Sequence, residues 1–156
     1  MIEGWDFTIV ACAIKLDAHV AQYGEHAADP YEDCLRILVD RFCEELSVSP
    51  DGGFICAEMR NPGLDRDLRA AWDQLCREGS GNASPAEINE KIVDFTLKDK
   101  MPNIAGMQLA DLVVTPVGRS VLNLPTKDDE VSRRIVTSKL RRVNGQYQGY
   151  GLVVRP

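Results

Sequence analysis

The sequence predicts an α/β fold with a partly parallel sheet and helices on both of its faces. Three observations predict it. Residues 6–16 form a near-continuous apolar run rich in β-branched side chains, the pattern of a strand buried on both faces. Strand-like and helix-like segments then alternate, as they do in chains with parallel strands. Capping residues stand between them where helices should begin.

The first strand is expected within residues 6–16, followed by a polar loop to Asp29. Asp29-Pro30-Tyr31-Glu32 joins a capping aspartate to a proline at the first helical position and a glutamate at the third. The helix it opens places Leu35, Leu38, Val39, Phe42 and Leu46 inside, with Asp33, Arg36, Asp40, Arg41 and Glu44 largely opposite. A turn over residues 49–53 ends it. Residues 54–60 read as a second strand, closed by Asn61-Pro62-Gly63.

Residues 65–78 form the next predicted helix, with Leu68, Ala71, Trp72, Leu75 and Cys76 inside and Gly79 at its end. Residues 79–83, rich in small residues, read as a flexible linker. Ser84-Pro85-Ala86-Glu87 is a second capping box, opening a short helical turn. Beyond it Val93, Phe95 and Leu97 alternate with Asp94, Thr96 and Lys98, a strand of period two. Asn103 caps a long apolar helix to about residue 122, which Pro116 should kink or divide. A last amphipathic helix over 127–140, with Asp128, Asp129 and Glu130 in its first turn, precedes a loop and edge strand over 148–154.

A chain of 156 residues, 44% hydrophobic and 27% charged, is expected to form one globular domain over 1–156. No apolar run has the length of a membrane span, and the N-terminus lacks the pattern of a signal peptide. The expectation is a cytoplasmic protein without membrane contact. Five cysteines without a Cys-x-x-Cys pair read as small buried hydrophobes in a reducing compartment. His19 and His26 fall in the predicted polar loop, and no cysteine or third histidine joins them in a metal set. The net charge of −6 argues against general nucleic-acid binding. It conceals an asymmetry. Residues 1–130 hold 12 Lys and Arg against 24 Asp and Glu, whereas residues 131–156 hold six basic residues and no acidic one. That basic segment suits either phosphate contact or neutralisation of the acidic body, within the chain or across a dimer.

The candidate chemistry rests on two carboxylates in apolar surroundings. Asp111 sits in the middle of the apolar helix, on one side with Gln108, Thr115 and Arg119. A helix apolar nearly all round is expected to be buried, and a buried carboxylate needs a partner. Glu58 lies near the end of the second strand, where ligand sites of open α/β sheets form. Two acids from different elements suit Mg2+ or Mn2+, hard cations that prefer oxygen ligands. Structural pairing accounts for them too: Glu58 with Arg60 or a helix cation, Asp111 with a buried backbone group. No dinucleotide-binding fingerprint, phosphate-binding loop or nucleophile elbow occurs.

Residues 104–113, Ile-Ala-Gly-Met-Gln-Leu-Ala-Asp-Leu-Val, followed by Pro116-Val117-Gly118-Arg119, resemble the Gly-Leu-Gln-Leu-Ala-Asp-Leu helix of the domain-of-unknown-function 3800 family. Further pieces agree in order: Pro30-Tyr31 opening a helix with Arg41-Phe42, Ala57-Glu58-Met59-Arg60 at a strand end, and Lys139 before a basic pair. The ending, Gly149-Tyr150-Gly151-Leu152-Val153-Val154-Arg155-Pro156, agrees as well. The similarity runs from about Asp6 to Pro156, and the Gln-Leu-Ala-Asp helix is its specific part.

This prokaryotic and phage-related family is generally taken as ribonuclease-H-like, a three-layer fold. The resemblance implies a metal-dependent nuclease or phosphodiester hydrolase with Glu58 and Asp111 as catalytic and metal-binding acids. It implies Gln108 in support, and Arg119 or Lys139 stabilising phosphate charge. The family's opening Asp-Glu-Ser-Gly strand does not occur, so the expectation is an N-terminally shortened member with an incomplete acidic set. Two-metal cleavage normally uses several carboxylates. The alternative is therefore a catalytically incomplete interaction or regulatory domain of the same fold. Loss of a front strand would uncover a sheet edge, which predicts a homo-oligomer. The basic segment 131–156 predicts nucleic acid as a further partner.

Overall fold

The computed structural model of the chain describes residues 4–26, 29–49, 51–99, 104–124, 134 and 136–156. The fold is mixed α/β with short parallel sheets. Its described elements are β1 (Ala11–Ile14), α1 (Leu16–Tyr23), α2 (Pro30–Glu45), β2 (Gly53–Glu58), α3 (Pro62–Glu78), α4 (Pro85–Lys91), β3 (Ile92–Lys98), α5 (Ala105–Val121) and β4 (Leu152–Arg155). The chain divides into two compact units, residues 1–27 with 108–156, and residues 28–107.

In the first unit β1 pairs in parallel with β4, from Ala11 opposite Leu152 to Ile14 opposite Arg155. The chain-end strand is thus as expected, and β1 is its neighbour. Outside the named strands, a separate parallel bridge joins Ile9 to Leu140. Gly151 is required here, because a Cβ at that position would meet the Arg141 backbone at 2.3 Å. Asn144 and Gly145 both take positive φ between the bridged Val143 and Gln146, the tight hairpin turn that Asn-Gly favours. Ile9, Val117, Val136 and Leu140 form the core of this unit, with Phe7, Val113 and Tyr147 packed on it.

Two expectations fail in the first unit. The segment expected as a polar loop contains α1, and His19 on that helix is buried. His19 escapes solvent by packing on Tyr23, with ring centroids 5.0 Å apart, and by a hydrogen bond from Nδ1 to the Pro156 carbonyl oxygen. The second failure concerns α5. It forms with Pro116 inside it, but it is not buried all round. Val117 is its one buried residue among those described, while Leu112 is 59% and Val114 66% exposed. The apolar excess of this helix therefore misreads as burial. The expected Asn103 cap and the first turn of the 127–140 helix lie outside the described residues; 136–139 are helical.

The second unit is built as the sequence suggests. Asp29 caps α2 by accepting from the Tyr31 and Glu32 amides, and Pro30 occupies the first turn. Asn61 caps α3 by accepting from the Gly63 and Leu64 amides at 3.0 Å. Asn61-Pro62 therefore opens α3 rather than merely closing the strand. Ser84 caps α4 through the Glu87 amide. β2 and β3 pair in parallel, and Val39, Cys43, Leu75, Ala83, Ile88 and Ile92 form the core. Trp72 stacks on Phe95 with centroids 5.0 Å apart.

Three side-chain expectations change here, each for a local reason. The β2–β3 register slips after Gly53: Gly53 faces Ile92, but Phe54 faces Asp94. The extra residue, Val93, breaks the period of two, so Ile92 and Phe95 are buried while Val93 is 57% exposed. Asp40 is buried and Leu38 lies at the surface. The carboxylate of Asp40 accepts from the Ser80 hydroxyl and, at 2.9 Å, from Asn82 Nδ2. The same contacts settle the supposed flexible linker: Ser80 is buried, and its hydroxyl accepts the Ala83 amide. The segment is a polar clasp on α2.

Candidate functional site

Glu58 is the last residue of β2, and the chain enters the first turn of α3 four residues later. Strand, connection and helix bring it to a cleft of about 240 Å³. Asp29, Tyr31 and Glu32 from the start of α2 line the cleft beside Glu58 and Arg60. The first turns of α3 add Leu64, Asp65, Asp67 and Leu68. All of these residues belong to the second unit. The location is the one where parallel α/β sheets hold ligands, beyond the carboxyl end of a strand.

Two contacts organise the cleft. The Arg60 amide donates to Asp65 Oδ1 at 2.9 Å, which holds the strand exit against the first turn of α3. The Arg60 guanidinium lies over the Tyr31 ring, 4.5 Å from its centroid, a cation–π contact between strand exit and α2. The lining is mixed: apolar from Leu64, Leu68 and Ala71, strongly acidic elsewhere, with Arg60 as the one cation among the described residues.

Asp111 belongs to the first unit, on α5, and is exposed rather than buried. Gln108, Asp111 and Arg119 share one side of that helix and are all exposed. Lys139 also lies in the first unit. Its ammonium donates to the Trp5 carbonyl oxygen and sits 5.1 Å from the Phe7 ring centroid. The basic segment is partly engaged in its own fold as well: Arg142 donates to the carbonyls of Gly145 and Thr137 and lies over Tyr147. The chain matches no family model, no curated protein and no solved structure.

The donor chemistry suits a hard cation in type, because the carboxylates lining the cleft offer oxygen ligands. Among the described residues no group of three or more His, Cys, Asp or Glu side chains is placed to hold a metal ion. A magnesium-like ion needs only one or two protein carboxylates and keeps its waters. Sequence reasoning singled out Glu58 but not Asp65 and Asp67, which line the same cleft. The signal for them was Asn61-Pro62: starting the helix at Pro62 places Asp65 in its first turn, beside the strand end. Of the five cysteines expected to be buried, Cys43 is, Cys12, Cys34 and Cys76 are half-buried, and Cys56 is exposed. Burial, then the charge of Glu87, pushes the Cys43 thiol above its ordinary value of 9.0, and burial does the same for Cys76.

Proposed function

We propose that this chain is a ribonuclease-H-like protein, a relative of the domain-of-unknown-function 3800 group. Its chemistry would be cleavage of a phosphodiester with Mg2+ or Mn2+, and Glu58 is the residue we assign first to the metal. One observation carries the assignment: a carboxylate ends a parallel strand inside an acidic cleft beside two helix starts. A hard cation there would polarise a phosphoryl oxygen and generate hydroxide near neutral pH. The sequence resemblance adds Asp111 as a second acid, Gln108 in support, and Arg119 or Lys139 against phosphate charge. A manganese titration followed by a nuclease assay tests this, with Glu58→Gln and Asp111→Asn read separately. No metal uptake, or variants indistinguishable from the parent, would end the enzyme reading.

A second reading has its own support. Phe54 is 69% exposed, and it shares the surface of its unit with the exposed Val93. Together with Leu112 and Val114 of the first unit, these are large apolar side chains of the kind that association covers. An interaction domain of the same fold, without catalysis and self-associating, would use them. Sedimentation at high concentration decides the association: a dimer or larger species is expected, and a clean monomer contradicts it.

A further inference from the structure

We infer that the cleft beside Glu58 takes a nucleobase, stacked on the Arg60–Tyr31 pair. The inference deepens the proposed function by naming the group recognised, and it rests on that reading for what the base is attached to. The Arg60 guanidinium carbon lies 4.5 Å from the Tyr31 ring centroid, which puts a planar cation and an aromatic face side by side, and Tyr31 is 53% exposed at the cleft. Planar cations and aromatic faces are the common platform for bases because every base has a π-face. Leu64 and Leu68 supply apolar lining for the ring edges. A volume of about 240 Å³ suits one ring system with its hydrogen-bond partners, and excludes a duplex.

Charge then selects which part of a nucleotide enters. Among the described residues, Asp29, Glu32, Glu58, Asp65 and Asp67 line the cleft against Arg60 alone, so a phosphate is repelled unless a metal accompanies it. Carboxylates accept from N–H donors, and bases with an exocyclic amino group offer them, as cytosine does through N4. Guanine presents an N–H and an amino group side by side, a match for both oxygens of one carboxylate. Uracil sets carbonyl oxygens beside its single N–H, and these face the same carboxylates unfavourably. The cleft therefore prefers guanine and cytosine over uracil.

Saturation-transfer NMR on the full chain with the four uncharged ribonucleosides tests this without phosphate, metal or catalysis. The expected result is transfer to base protons, stronger for guanosine and cytidine than for uridine. Tyr31→Ala should weaken binding by about 5-fold or more, the loss of one stacking partner. Tyr31→Phe keeps the ring and should retain it. Competition by a short single-stranded oligonucleotide, compared with the same strand lacking bases, shows whether the base arrives in a strand or as a free nucleoside. No transfer from any nucleoside, or equal transfer with Tyr31→Ala, overturns the inference. A chain that binds nucleosides but cleaves nothing overturns only the nuclease reading.

Discussion

Buried side chains and the strand-end acid follow different rules at the residue scale. Cys43 lies in the core beside Val39 and Ile88, whereas Cys56 is exposed on β2, its sulfur 3.9 Å from that of Met107. Thiolate fraction and access together set thiol reactivity. Under native conditions an alkylating reagent should therefore modify Cys56 first and Cys43 last, as read by mass mapping over time. Raised thiol values also fix a sign. The folded chain keeps protons on Cys43 and Cys76 that the unfolded chain releases near their ordinary value of 9.0. Their contribution is whole below that pH and is lost as pH rises through the raised values. Urea midpoints taken on either side of pH 9 should fall on the alkaline side.

Secondary structure was most legible where local chemistry decides it. Asp29-Pro30 and Ser84-Pro85 announced their helices, and both caps are made through the side chains named. The face of α3 was legible because Ala71 and Leu75 recur at helical spacing. What the chain concealed depends on contacts distant in sequence. The bulge at Val93 comes from pairing with β2, and Asp40 is buried because Ser80 and Asn82, forty residues away, complete its hydrogen bonds. In α5, hydrophobicity alone cannot say whether a helix is covered, and Leu112 and Val114 are not. Ile88 on α4 is 0% exposed at the centre of its unit's core. Ile88→Ala should cost that unit about 2–5 kcal/mol in urea unfolding, the range for truncating a buried aliphatic residue.

For the molecule as a whole, charge and the candidate site point to different ligand parts. The acidic body holds the cleft, and the basic segment 131–156 holds six cations, of which Lys139 and Arg142 also bind backbone carbonyls of their own unit. No described helix is long and apolar enough to cross a membrane. Glu58 was legible as a candidate because it is an acid at the end of an apolar strand. The cleft around it was not, since Tyr31, Arg60 and Asp65 meet only through the folding of α2, β2 and α3. The resemblance named Asp111 by motif, and the structure puts it on an exposed helix face. Glu58 is the proposed ligand of a divalent ion for phosphodiester cleavage. The most direct measurement is manganese-dependent nuclease activity of the parent chain against Glu58→Gln at matched folding. The account predicts a loss of at least about 100-fold, the upper end for removing even a group that only supports a metal ligand, and weakened manganese uptake. Equal activity and equal uptake in the two proteins would contradict it.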